Sequence, residues 1–447
     1  MNSVEIETPL IDGIVELARE RLGAGEFARC ELFIRQYYRW VAADDLAERS
    51  TADLCGAVLA LWDFAQVLGA GETKIRTYDP AIERDGWQSP HTVVEILSDD
   101  MPFLVDSVAM ELRRLGVGIH LMIHPVLRVV RDAEGRLADV LAPGRNGGPE
   151  QLESVLHLEV DRETDADALA ALESSLASVL EQVRDAVEDW PAMKVRLAEI
   201  AGSLTATGAT PDDEIAESRA FLEWLVQDHF TFLGARDYAL VRTDTGTALE
   251  LVAGSGLGIL REGPARPSQP AALSERARAI AISPQLLVLT KANSRATVHR
   301  PSFLDYVGIK LFDADGQVCG ERRFLGLYTS LAYKEPAQTI PILRGKLAYV
   351  IGRAGFAPDS HDRKALLDIL EAYRPRDELL ALEPDELFET AMGILALAER
   401  QRVRLFVHRD PFGRFVSCLV FVPRDRFNTE SRERIAAALS DAFGATV

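Results

Sequence analysis

Ser98-Asp99-Asp100-Met101-Pro102-Phe103-Leu104-Val105 joins two different periodicities, and its reading decides the fold. Before it, residues 92–97 read as a strand. After it, residues 101–115 read as a helix closed by Gly116. Asp99 or Asp100 is placed to cap that helix, and Pro102 falls near its first turn, where a missing N–H costs nothing. A strand-to-helix junction also presents free N–H groups at a helix N-terminus, which suits an anionic carboxylate. The same residues also read as a helix cap followed by core side chains, and that reading is preferred to a ligand site.

Working outward, residues 74–78 read as a strand, residues 119–131 as extended chain, and residues 155–160 as another strand. Asp132-Ala133-Glu134-Gly135 turns the chain between the last two. This order predicts a β-α-β-β-α unit of the ferredoxin-like kind. Ahead of it, Ile11, Ile14, Val15, Ala18 and Leu22 sit at helical spacing. So do Phe33, Ile34, Tyr37, Tyr38 and Val41, and then Leu54, Val58, Leu61 and Ala65. Behind it, Leu169, Leu172, Leu176, Val179, Val183 and Val187 form a long apolar stripe. Trp190-Pro191 is predicted to break that helix, with Met193, Leu197, Ile200 and Leu204 continuing beyond. Residues 202–211 read as a linker and 212–228 as a further helix.

From Phe230 the period switches to two. Strands are predicted at 232–240, 249–252, 286–290, 306–312 and 320–328, with Asp313-Ala314-Asp315-Gly316 as a hairpin turn. Residues 261–274, rich in Pro and Ala, read as a mobile loop. Helices follow at 341–353, 363–372 and 384–400. The chain ends in a hairpin, 403–408 and 415–422 around Asp410-Pro411-Phe412-Gly413, and one helix, 429–443. A two-stranded ribbon is marginal alone. The ending therefore reads as the opening of something longer, or as a unit that borrows strands from a partner.

The chain has 447 residues, room for about three domains. Lys and Arg number 49 against 69 Asp and Glu, giving a net charge of −20. That balance argues against nucleic acid or an anionic membrane surface as partner, because phosphate binding needs a cationic footprint. No window holds 18 uninterrupted apolar residues, so no membrane span is expected. Cys30, Cys55, Cys319 and Cys418 are scattered and form no C-x-x-C pair, which fits a reducing compartment. Residues 1–10 lack a signal-peptide pattern, and a cytoplasmic location is expected.

Chemistry-bearing motifs are sparse. Gly254-Ser255-Gly256-Leu257-Gly258 places Ile259 where a dinucleotide fingerprint needs its third Gly, so it reads as a turn. Arg344-Gly345-Lys346 lacks the upstream Gly of a Walker loop. His120 and His124 stand in an extended segment without further ligands nearby, and read as a surface or interface pair. Glu321, Arg322 and Arg323 read as a solvated or interface cluster in which an Arg could clamp a carboxylate. No metal site and no catalytic constellation emerges from the residues.

A resemblance covers most of the chain from about residue 30 onward. The stretch from Ser98 to Val108, with Ile119-His120 and His124-Pro125-Val126, resembles the N-terminal region of the large bacterial NAD-dependent glutamate dehydrogenases. So do His229-Phe230-Thr231-Phe232-Leu233-Gly234, Asp305-Tyr306-Val307-Gly308 and Arg323-Phe324-Leu325-Gly326-Leu327-Tyr328. Ser360-His361-Asp362, Pro375-Arg376-Asp377-Glu378-Leu379 and the segment from Arg409 to Ser417 add to it.

The resemblance implies an α+β, multi-domain chain of ferredoxin-like ACT modules plus a PAS-like antiparallel-sheet module, linked by helices. Its divisions would be a helical lead-in (1–71), a first ACT-like domain (72–189), a helical linker (190–227), a PAS-like domain (228–335), a helical connector (336–400) and the truncated start of a second ACT-like domain (401–447). It implies a non-catalytic regulatory and oligomerisation segment. The parent enzyme would deaminate L-glutamate oxidatively to 2-oxoglutarate and ammonia, with NAD as its cofactor and none bound by this segment. Implied partners are a second copy through the ACT-like modules, the catalytic region of the same polypeptide and an amino-acid effector. Ligand-binding ACT domains commonly carry Asp-x-Pro-Gly-Leu, so Asp100, Pro102 and Leu104 are the implied effector residues. Phe103 stands in place of the Gly, which narrows backbone approach and favours assembly over ligand binding. The competing expectation is a freestanding ACT/PAS-type amino-acid sensor with no associated enzyme.

Overall fold

The computed structural model describes residues 8–47, 49–142, 150–204, 211–243, 246–262, 271–372, 374–397, 400–410 and 412–444. Parts of the expected 202–211 linker and 261–274 loop, and Pro411 of the last turn, lie outside them. The chain divides into two compact units, one of residues 1–188 with 296–301, the other of residues 189–295 with 302–447.

The first unit opens with helices α1 (Thr8–Arg21), α2 (Ala24–Tyr37), α3 (Ala43–Ala47) and α4 (Thr51–Phe64). Then come β1 (Thr73–Tyr78), α5 (Ile82–Asp85), β2 (Thr92–Asp99), α6 (Leu104–Arg114), β3 (Ile119–Ile123), β4 (Val126–Arg131), β5 (Leu137–Leu141) and β6 (Gln151–Val160). Among the described residues the strands make one antiparallel sheet, ordered β1-β2-β6-β4-β5, with β3 also on β6. β2 and β6 lie at its centre, and the seven residues from Thr92 to Ser98 are all buried. Ile14, Phe33, Ile34, Tyr37 and Trp62 of the lead-in helices pack with Leu97, Leu127 and Val155 of the sheet into one apolar core.

Charges thread this unit. His157 is fully buried, with Nδ1 3.2 Å from Glu95 Oε1 and Nε2 3.9 Å from Glu159 Oε1. Arg76 pairs with Glu95, Arg49 pairs with Glu159, and Ser89 Oγ donates to Glu159 Oε2 at 2.8 Å. Burial pulls the His157 ring down, but the Glu159 and Glu95 carboxylates outweigh it and raise its pKa.

Helix α7 (Ala166–Ser203) continues without a break through Pro191, contrary to the predicted break at Trp190-Pro191. An internal proline costs roughly 3 kcal/mol. Met193 and Leu197, both fully buried just beyond it, hold the next turns in place.

The second unit continues with α8 (Asp212–Trp224), β7 (Phe230–Thr243), β8 (Gly246–Leu251), β9 (Leu257–Gly258), β10 (Ala271–Ala272), α9 (Glu275–Ile282), β11 (Leu287–Arg295), β12 (Phe303–Phe312) and β13 (Val318–Tyr328). These strands form an antiparallel sheet ordered β10-β8-β7-β13-β12-β11, with β9 on β7. Helices α10 (Ser330–Lys334), α11 (Leu343–Ala354), α12 (His361–Ala372), α13 (Arg376–Ala381) and α14 (Pro384–Leu395) follow. Phe221, Phe230, Phe232, Phe324 and Leu347 share a core with Leu366, Leu379 and Leu387. Among the described residues β14 (Arg404–Arg409) and β15 (Val416–Phe421) pair only with each other, and α15 (Thr429–Phe443) closes the described chain behind an Asn428 capping box.

Candidate functional site

The turn from β2 into α6 is built differently from the sequence expectation. Asp99 still pairs in the sheet, opposite Glu153, and the Asp100 N–H donates to Leu152 O at 2.9 Å. The helix begins at Leu104, and its N-cap is Phe103 with no side-chain cap. Neither Asp99 nor Asp100 caps it: Asp99 Oδ2 lies 3.2 Å from Arg184, and the Asp100 carboxylate is exposed without a hydrogen bond among the described residues.

Phe103 holds φ +75°, ψ −2°, the left-handed conformation that Gly adopts freely. The position that the Asp-x-Pro-Gly-Leu pattern gives to Gly thus holds a Gly-like backbone while carrying a ring. That ring is half-buried and rests on His299, with centroids 4.8 Å apart. The His299 N–H donates to Ser107 Oγ at 3.1 Å, and burial followed by Arg300 holds its imidazole below the usual pKa. Nothing in the residues around His299 marks this contact in the sequence.

Of the three implied effector residues, Asp100 and Pro102 reach the surface together, whereas Leu104 is 4% exposed and belongs to the core. His124 adds a polar neighbour that sequence reasoning set aside. Its Nε2 lies 2.8 Å from Ser154 Oγ, and burial lowers its pKa against the opposing pull of Asp100. The turn therefore offers an unpaired carboxylate and helix N–H groups, a combination suited to a zwitterion.

The other singled-out motifs serve structure. His120 pairs with Asp161 at 2.7 Å and stacks on His91 at 4.0 Å. Among the described residues no group of three or more His, Cys, Asp or Glu is placed to hold a metal ion. In the Gly254–Gly258 turn, the Gly258 N–H is taken by Asp189 Oδ2 at 2.7 Å. The Glu321–Arg323 triplet is not a solvated cluster. Glu321 is buried against Tyr306, and Arg323 lies over the Tyr238 ring at 4.1 Å and the Tyr306 ring at 4.9 Å. The Glu321 and Arg323 charges are consumed inside the sheet, whereas Arg322 is half-exposed with Asp237 3.9 Å away.

Residues 33–176 match the glutamate dehydrogenase ACT1 domain, residues 340–400 its helical motif 1, and residues 404–447 its ACT2 domain. The chain is 42% identical over 447 residues to the NAD-specific glutamate dehydrogenase of Halomonas elongata, covering 99% of itself and 28% of that protein. The corresponding protein of Pseudomonas aeruginosa is 39% identical over 431 residues, 96% of this chain and 26% of that protein. That of Mycobacterium tuberculosis is 28% identical over 358 residues, 79% and 21%. The chain thus spans little more than a quarter of the curated relatives that match nearly all of it. Carrying their ACT1, helical-motif and ACT2 signatures in order, it belongs to the NAD-specific glutamate dehydrogenase family and corresponds to the N-terminal, ACT-bearing region.

Proposed function

We propose that this chain is the non-catalytic regulatory and assembly segment of an enzyme that converts L-glutamate, NAD⁺ and water to 2-oxoglutarate, ammonium, NADH and a proton. The observation that carries the reading is the pair of ACT matches in a chain aligned over nearly its whole length with NAD-specific glutamate dehydrogenases. In this reading residues 72–189 and 401–447 belong to ACT-like domains and residues 228–335 to a PAS-like one. Residues 1–71, 190–227 and 336–400 are the helical lead-in, linker and connector. An amino acid would set its carboxylate at the α6 N-terminus and its ammonium at Asp100, beside Pro102. The open edges of β14 and β15 favour association with a second copy. Among the described residues no helix is long and apolar enough to cross a membrane, and a cytoplasmic location completes the proposal.

The test is NADH formation by the full-length protein that contains this segment. Glutamate-dependent reduction of NAD is expected there, and none from residues 1–447 alone. A full-length protein without that activity, or an isolated segment that sustains it, would overturn the reading.

A further inference from the structure

We propose that the cleft beside the free edge of β11 binds a small organic anion, a carboxylate carried on an apolar body. The proposal goes beyond the dehydrogenase reading and uses none of the residues of the Asp100–Leu104 turn. The cleft lies within the second unit and encloses about 760 Å³, inside the range of roughly 300–1,000 Å³ usual for small-molecule sites.

Its walls are mainly apolar: Leu287 and Leu289 of β11, Ile280 of α9, Ile342 at the start of α11, Leu380 of α13, and Phe412. The polar lining includes donors without an acceptor among the described residues, namely the Arg276 guanidinium and two outward N–H groups of β11. Lys310 N–H donates to Leu286 O at 2.9 Å, and Leu287 stands opposite Ile309. In an antiparallel pair that register turns the N–H groups of Leu287 and Leu289 away from β12, toward an edge that no further strand covers among the described residues. Arg276 makes no hydrogen bond or ion pair among the described residues. Lys346 Nζ donates to Leu380 O and Leu382 O, both at 2.6 Å, and is ion-paired with no carboxylate among the described residues. Burial pushes the pKa of this ammonium down to about 8, with Glu383 pulling the other way.

The carboxylates in the lining do not supply the missing acceptors. Glu217 is occupied by Arg344 and by the Ile342 N–H at 2.9 Å. Glu214 accepts from Leu286 N–H at 3.3 Å. Glu383 attracts Lys346 without a hydrogen bond to it. Acceptor oxygens are what Arg276 and the outward N–H groups of Leu287 and Leu289 lack among the described residues, and the surrounding apolar side chains fit hydrocarbon.

Calorimetric titration of the 447-residue chain at neutral pH with hexanoate, hexan-1-ol and inorganic phosphate tests the proposal. Hexanoate is expected to bind one saturable site, with the alcohol and phosphate each at least tenfold weaker. Arg276→Gln, at an exposed position, should weaken hexanoate at least fivefold without moving the melting temperature. Ala279→Trp, which fills the cleft from an exposed helical position, should abolish binding. Absence of saturable hexanoate binding, equal binding of hexan-1-ol or phosphate, or full binding by Ala279→Trp or Arg276→Gln would each overturn it.

Discussion

Phe103 and His299 hold the same rare backbone conformation, at φ +75° and +79°, and press their rings together with centroids 4.8 Å apart. A left-handed residue with a side chain costs roughly 1–2 kcal/mol that Gly avoids. The ring contact offsets that cost at position 103. Phe103→Gly should therefore change stability by less than about 1 kcal/mol, since relief of strain balances lost burial. Phe103→Ala loses the ring and keeps the strain, and should be less stable than Phe103→Gly by about 1 kcal/mol in urea unfolding. Equal stabilities would show that the turn is not strained.

Gly258 should tolerate no side chain. Its φ is +59°, and a Cβ there would stand 2.2 Å from Leu233 O, which is rigid sheet backbone. Gly258→Ala is expected to cost more than about 2 kcal/mol by strain and overpacking together. A thermal melt unchanged from the parent would contradict the close approach of β9 to β7.

Acid should weaken the first unit through Glu159. Burial pushes this carboxyl up, but hydrogen bonds from His157, Arg49 and Ser89 prevail and hold it at about 2, against an ordinary 4.5. Because the folded pKa is depressed, the stabilisation is whole above the ordinary value and is lost as pH falls toward 2. Glu159→Gln should cost on the order of 2 kcal/mol at neutral pH and much less near the folded pKa. A stability gap independent of pH would count against this account.

Lys291 is held between Asp305 Oδ1 at 2.6 Å and Asp377 Oδ2 at 2.5 Å, all three largely buried. Lys291→Met leaves two enclosed carboxylates without a cation and should destabilise by about 3–5 kcal/mol. Adding Asp305→Asn to it should recover part of the loss. Denaturant midpoints of the single and double variants measure both steps.

The chain should self-associate through its last hairpin. Val403, Leu405 and Val407 are exposed on β14 and just before it, and neither β14 nor β15 has an outer neighbour among the described residues. Light scattering at high micromolar concentration should report a dimer or larger species, and Leu405→Lys should shift it toward monomer. A strict monomer would refute the assembly role.

Period and punctuation carried most of the fold. The expected 429–443 helix coincides with α15, because an Asn428 cap and Gly444 bound one uninterrupted helical run. Strands β12 and β13 were legible from their alternation and from the Asp313–Gly316 turn, where Asp313 Oδ1 accepts the N–H groups of Asp315 and Gln317. Helix α6 starts three residues later than expected, because the left-handed Phe103 is chosen by a distant histidine. Pro191 failed as a breaker because buried side chains beyond it outweigh one lost hydrogen bond. The short β5 has too few residues to show a period. Glu321 and Arg323 looked solvent-facing because a charged triplet does not reveal the two tyrosines that enclose it.

The order of strands also sets a schedule for synthesis. β7 emerges early, yet its long partner is β13, and Phe230 must wait for Tyr328 before the two can pair. β12 and β13, joined by a tight turn, can zip together locally as soon as both are made. Until then the first half of β7, with Phe230 and Phe232, extends beyond the residues paired with β8 and lacks its partner strand. Chaperone dependence and aggregation during translation should therefore concentrate in the interval between residues 230 and 328. Slowing elongation there would lengthen the exposure, whereas slowing it after Tyr328 would leave the sheet already closed.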